Sequence, residues 1–102
     1  MELLPEELAK TLPKLDEQEK NNKNDQIAYL RFYDPSSFWV WYVLEYDGVD
    51  TFFGLVRGDD VELGYFSLKE LQDYKGSSGE GVKRDLDFQP TPLWEIWLEL
   101  YS

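Results

Sequence analysis

Hydrophobic and polar positions alternate with a period of two through the middle of the chain, and the alternation breaks at points that read as turns. In residues 51–57, TFFGLVR, Phe53 and Leu55 fall on one face while Phe52 and Val56 fall on the other, so both faces want cover. Gly54 interrupts this run. A glycine inside a strand marks a bulge or the close approach of another backbone or ring more often than a ligand site. Gly58, Asp59 and Asp60 supply a turn, after which Val61, Leu63 and Tyr65 alternate with Glu62, Gly64 and Phe66 as a half-buried return strand. Ser67 opens the capping-box pattern Ser-x-x-Glu with Glu70. It predicts a short helix from Leu68 that carries Leu68, Leu71 and Tyr74 inward and stops at Gly76.

Residues 27–33 read as the first strand, and Asp34-Pro35-Ser36-Ser37 as a turn by composition. Residues 38–46 are the most apolar stretch, with Phe38, Val40, Tyr42 and Leu44 facing one way and Trp39, Trp41 and Val43 the other. The Trp39 and Trp41 face is a second core layer or an exposed aromatic patch for a partner. Asp47-Gly48 is a hairpin signal. Upstream, Leu4, Leu8 and Leu12 give an N-terminal helix one apolar side, with Pro5 and two acids in its first turn and Pro13 ending it. Residues 16–24 are polar, carry mixed charge and lack periodicity, which predicts a solvated loop and makes them the best candidate for disorder.

Residues 76–81 read as a flexible loop. Val82, Arg84, Leu86 and Phe88 then alternate with Lys83, Asp85 and Asp87 as a strand wet on one side, which places Asp85 and Asp87 on one face. Thr91-Pro92 caps a last helix that docks through Leu93, Ile96, Trp97 and Leu100. The expected fold is α+β in a single domain: an antiparallel sheet of about five strands, mostly meander, with short helices at both termini and one between strands four and five.

Charge narrows the partners. The 102 residues hold 21 acids against 10 bases, a net charge of −11, which repels nucleic acid and anionic membrane. The natural partner is a protein with a basic nucleic-acid-binding surface, with no direct contact to nucleic acid or membrane. With no cysteine and no histidine, disulfides, the common zinc sites and every Ser-His-Asp or Cys-His arrangement are excluded. The N-terminus lacks the pattern of a signal peptide and no apolar run approaches a membrane span, so a cytoplasmic location is expected.

The segments LLPEEL with LPKL, DQIAYLRFYDP, DTFFGLV, ELGYFSL and GEGVKRDLDF, taken in order and spacing, resemble a domain-of-unknown-function family of small acidic proteins encoded on plasmids, phages and other mobile elements. The resemblance spans nearly the whole chain. It departs at GSSGEG, residues 76–81, where the family pattern is more apolar, and at the tryptophan-rich residues 38–42.

Paired carboxylates are the only acid–base candidates: Asp47 with Asp50, Asp59 with Asp60 and Glu62, and Asp85 with Asp87. In a chain this acidic they read first as a solvated face, and Asp59-Asp60-x-Glu62 lacks the spacing that lets a loop wrap calcium. GSSGEG has no helix start or lysine placed as in a phosphate loop. No catalysis, metal or cofactor is expected. The carboxylates of Asp47, Asp50, Asp59, Asp60 and Glu62 lie in neighbouring hairpin turns and are expected to draw together as a partner surface, with Trp39 and Trp41 as its aromatic component. For a mobile-element protein, such a surface suggests an inhibitor that occupies the basic channel of a host defence nuclease, restriction enzyme or CRISPR effector by mimicking nucleic acid. The other expectation is a structural or regulatory accessory domain whose charge only confers solubility.

Overall fold

Antiparallel pairing of long central strands organises the molecule. The computed structural model describes residues 2–101. The strands are β1 (Ile27–Ala28), β2 (Leu30–Tyr33), β3 (Val40–Tyr46), β4 (Thr51–Arg57), β5 (Val61–Ser67), β6 (Lys83–Arg84) and β7 (Thr91–Pro92). The helices are α1 (Glu6–Ala9), α2 (Leu68–Asp73) and α3 (Leu93–Tyr101). A five-stranded sheet has the order β5-β4-β3-β2-β6, and β1 and β7 form a separate two-stranded ladder. The chain is therefore α+β, with β2 to β5 as a meander and a fifth strand returning to the far side of β2.

Strand alternation splits the core between the two faces of this sheet. Phe32, Trp41, Val43 and Phe52 pack on one face with Leu3, Leu4, Leu12 and Leu71. Val40, Tyr42, Leu44 and Leu55 pack on the other with Leu93 and Ile96 of α3. Each large apolar side chain withdrawn in this way contributes roughly 1.5–3 kcal/mol relative to leaving it in water. Phe52 is fully buried between Tyr46 and Phe66, with ring centroids 4.8 and 5.4 Å away, whereas Phe53 is only half-buried against Tyr65.

A β-bulge between Val43 and Glu45 reverses the facing of the end of β3. Beyond it Glu45 opposes Phe53 and Tyr46 opposes Phe52, so Tyr46 joins the Trp41 face although it is an even-numbered residue like Leu44. Gly54, directly across from Val43, lies so close to β3 that a Cβ there would stand 1.8 Å from the Tyr42 carbonyl oxygen. The close approach expected of this glycine is present, and it abuts the bulge.

Several expectations about boundaries are corrected. The N-terminal helix is a single turn, Glu6–Ala9, although Leu4 and Leu12 are buried beside it. The first strand breaks at Tyr29, because Ile27 and Ala28 turn away to pair with Pro92 and Thr91. Thr91 and Pro92 thus form a strand ahead of α3 instead of a cap. β3 begins at Val40, leaving Phe38 exposed. α2 ends at Asp73, three residues before Gly76.

Of residues 82–88, Lys83 and Arg84 pair with Tyr33 and Phe32, and the Asp85 N–H donates to the Arg31 carbonyl at 2.8 Å, where the pairing ends. Asp85 and Asp87 do not share a strand face: the Asp87 N–H donates to Asp85 Oδ1 at 3.0 Å, a local turn. The loop at 16–24 is not a freely solvated segment. Gln18, 6% exposed, donates to the carbonyls of Ile27 (2.9 Å) and Leu44 (3.0 Å) and accepts from the Ile27 N–H (2.7 Å). A buried amide with these partners ties the loop to two strands.

Candidate functional site

Asp47 and Asp50 sit in the β3–β4 hairpin, and both carboxylates are used inside the chain. Asp47 Oδ1 accepts from the backbone N–H groups of Val49, Asp50 and Thr51 at 2.8, 2.9 and 3.0 Å. These bonds, that from Val49 foremost, hold its carboxyl below the usual range. Asp50 accepts from Ser67 Oγ at 2.5 Å and from the Lys69 N–H at 2.9 Å. Ser67 Oγ in turn accepts from the Glu70 N–H at 3.2 Å, so the N-terminus of α2 is capped by the expected serine together with an aspartate from the neighbouring hairpin.

Asp59, Asp60 and Glu62 are exposed at the β4–β5 turn, and none enters an ion pair among the described residues. The cation beside this turn points elsewhere: Arg57, the last residue of β4, lies over the Phe38 ring at 5.5 Å. With Trp39, Val56 and Gly58, the three acids line a shallow concavity of about 240 Å³. Trp39 is half-buried. Its indole rests on the turn, and a Cβ at Gly58 would come within 2.4 Å of it. Trp39 also borders an adjoining hollow of about 350 Å³ lined by Trp41, Phe66, Glu70, Leu71 and Tyr74. Trp41 is core, 6% exposed, with Trp39 and Tyr74 each at a centroid distance of 5.9 Å.

The five carboxylates do not converge. Asp50 precedes β4 and Asp59 follows it, so the two turns stand at opposite ends of a seven-residue strand, roughly 20 Å apart. Neighbouring hairpins of a meander share a strand, and successive turns necessarily alternate between the sheet's two ends. What meets instead is Asp59, Asp60 and Glu62 with Trp39, one acidic group and the exposed part of the aromatic pair.

Two acids that stood out less in the sequence are the buried ones. Asp34, 2% exposed, accepts from the Ser36 N–H (2.9 Å), Ser36 Oγ (2.7 Å), Ser37 Oγ (2.9 Å) and the Tyr74 hydroxyl (2.8 Å). The Ser36 N–H bond leads the groups that lower its carboxyl to about 2, against the opposing effect of burial. The signal was present in Asp-Pro-Ser-Ser, an Asx-turn composition, but Tyr74 is 40 residues away. Glu45, 4% exposed, accepts from the N–H groups of Asp16 and Gln18 at 2.9 and 2.8 Å. It borders a cavity of about 290 Å³ on the opposite sheet face, near Glu19, Phe53, Leu63 and Tyr65. None of the residues predicted for the site lies there, and the Glu45 oxygens are already engaged.

An aromatic face beside free carboxylates suits one chemistry well. A lysine or arginine side chain can lie on Trp39 while its charge meets Asp59, Asp60 or Glu62. No helix among the described residues is long and apolar enough to cross a membrane. Comparison with curated proteins and with solved structures gave no match. The model of the family described as "Protein of unknown function (DUF2958)" matches residues 3–101, and the chain belongs to that family.

Proposed function

We propose that this protein is a non-catalytic binder of other proteins in the cytoplasm, and that it recognises a basic, nucleic-acid-binding surface through Asp59, Asp60, Glu62 and Trp39. The observation that carries the reading is the meeting, in one concavity, of a half-exposed indole and three carboxylates that have no ion-pair partner among the described residues. The carboxylates stand in for phosphates, and the indole takes the alkyl stem and charge of a basic side chain. The excess of 21 acids over 10 bases adds a long-range field that draws such a partner in. The resemblance to mobile-element proteins extends the proposal to a class of partner: a host defence nuclease, restriction enzyme or CRISPR effector, whose nucleic-acid channel is basic.

A second reading, an accessory domain whose charge serves solubility, is favoured by Asp47 and Asp50, which are spent on a turn and a helix cap. The two readings separate by titration with a capped peptide of alternating lysine and valine. The binder reading expects saturable binding that shifts the Trp39 indole N–H resonance, and Asp59→Asn, Asp60→Asn and Glu62→Gln together weaken it about tenfold. Binding unaffected by these substitutions, or no binding, contradicts the reading.

A further inference from the structure

Among the described residues the outer edge of β5 is unpaired, and we infer that a basic, extended segment of a partner protein adds to it as a further strand; this rests on the reading of the Trp39 site above. β5 stands at the edge of the sheet and pairs with β4 alone, without a bulge, from Thr51↔Ser67 to Arg57↔Val61. At one end the Leu68 N–H donates to the Asp50 carbonyl at 2.8 Å, and at the other the Gly58 N–H donates to the Asp60 carbonyl at 2.9 Å. Counting inward from both bonds, the antiparallel alternation turns the backbone groups of Glu62, Gly64 and Phe66 toward β4. Those of Val61, Leu63 and Tyr65 turn outward. Among the described residues, no backbone hydrogen bond beyond the β4 ladder reaches these three.

Exposed edges are ordinarily blunted by proline, lysine, a bulge or brevity. β5 has none of these: it is seven residues long and reads VELGYFS. Its surroundings select the occupant. Asp59 and Asp60 precede the strand, Glu62 lies within it and Glu70 follows it, so an added strand runs beside four carboxylates. A second copy of this chain would instead bring −11 against −11. Side chains of the incoming strand that continue the Glu62, Gly64 and Phe66 row lie on the Trp39 side, which favours lysine or arginine there. Apart from its chain neighbours, no atom of the described residues lies within 4 Å of where a Cβ at Gly64 would stand, which leaves room for such a side chain. The alternate side chains continue the Leu63 and Tyr65 row and favour apolar types. The ligand is thus an extended segment that alternates basic and apolar residues, held by main-chain bonds and read by its charges.

Amide hydrogen exchange of the whole protein, with and without the capped peptide of alternating lysine and valine, tests this. On saturation the Leu63 and Tyr65 amides should slow by about tenfold or more, while those of Glu62, Gly64 and Phe66 are slow from the outset. In parallel, Tyr65→Ala, which removes a side-chain contact but keeps the outward N–H, should bind clearly more tightly than Tyr65→Pro, which removes that N–H and no β4 bond and should lose a further tenfold or so. If Tyr65→Pro does not fold, the exchange measurement on the wild type decides. Peptide that shifts the Trp39 resonance but leaves the Leu63 and Tyr65 amides fast overturns the edge inference and leaves the Trp39 site standing. Protection of those amides by self-association without peptide also overturns it, and no binding at all overturns both.

Discussion

Trp39 and Gly58 are in contact across the β3–β4 pair, so closely that a Cβ at position 58 would stand 2.4 Å from the indole ring. The ring lies on backbone at the turn that carries Asp59 and Asp60, and this contact is what joins the aromatic and acidic halves of the site. Gly58→Ala therefore has to displace the indole. The expected outcome is a shifted Trp39 indole N–H resonance, a stability loss of about 1–3 kcal/mol from overpacking, and weaker binding of the lysine–valine peptide. An unchanged resonance and affinity would mean that Trp39 is not positioned by the turn.

The two phenylalanines of β4 should differ in energetic weight. Phe52 is fully buried among Phe32, Tyr46 and Phe66, and Phe52→Ala is expected to cost about 3–5 kcal/mol by urea unfolding. Phe53 is half-buried, and Phe53→Ala should cost clearly less. The reverse order would contradict the assignment of the two sheet faces.

Asp34 gives stability a defined acid dependence. Its carboxyl is lowered from 3.8 to about 2 in the folded protein, chiefly by the Ser36 N–H bond. The unfolded chain binds this proton more readily, so the contribution is fully present above about pH 4 and is lost as pH falls through about 2. Its size is up to about 2 kcal/mol. Asp34→Ala, which leaves the Ser36, Ser37 and Tyr74 donors without their acceptor, should remove that acid-side slope from a series of urea melts and destabilise the protein at pH 7. A slope equal to wild type would show that Asp34 is not the group responsible.

The separation of the two acidic turns is itself testable. Asp50→Ala removes a helix cap and should cost about 1–2 kcal/mol, seen as lowered protection of the first amides of α2. It should leave the affinity for the lysine–valine peptide nearly unchanged, since Asp50 lies at the other end of β4 from Trp39. A loss of affinity comparable to that from the Asp59, Asp60 and Glu62 substitutions would mean that the two turns act as one surface.

Local patterns in this chain were readable where a single strand or cap decides the outcome. The two faces of β3 and β4, the Ser67 cap and the tight packing at Gly54 all follow from short-range spacing. What escaped the sequence depends on residues far apart. Nothing near Glu45 announces the bulge that turns it toward the loop at 16–24, and Gln18 looks like any other polar residue in a charged run. Tyr74 gives no local hint that its hydroxyl reaches Asp34. The expected convergence of Asp47, Asp50, Asp59, Asp60 and Glu62 failed for a topological reason: turns at the two ends of one strand cannot meet. The association of Trp39 with the Asp59 turn escaped the sequence too, because the register that sets Val40 opposite Arg57, and so brings the residue before β3 beside the residue after β4, lies beyond the bulge near Glu45.

The central claim is that a local carboxylate group beside Trp39, and not the overall charge, selects a basic partner. The most direct measurement is the salt dependence of the affinity for the capped lysine–valine peptide in three proteins: the wild type, the triple variant at Asp59, Asp60 and Glu62, and a control in which Glu7, Glu19 and Glu95 are changed to Gln. Both variants remove three negative charges, and the control residues are likewise exposed. The account predicts that the wild type and the control bind alike and weaken steeply with added salt, while the triple variant binds about tenfold more weakly with a shallower slope. Equal affinities and equal slopes for the two variants would show that only net charge matters, and would contradict the account.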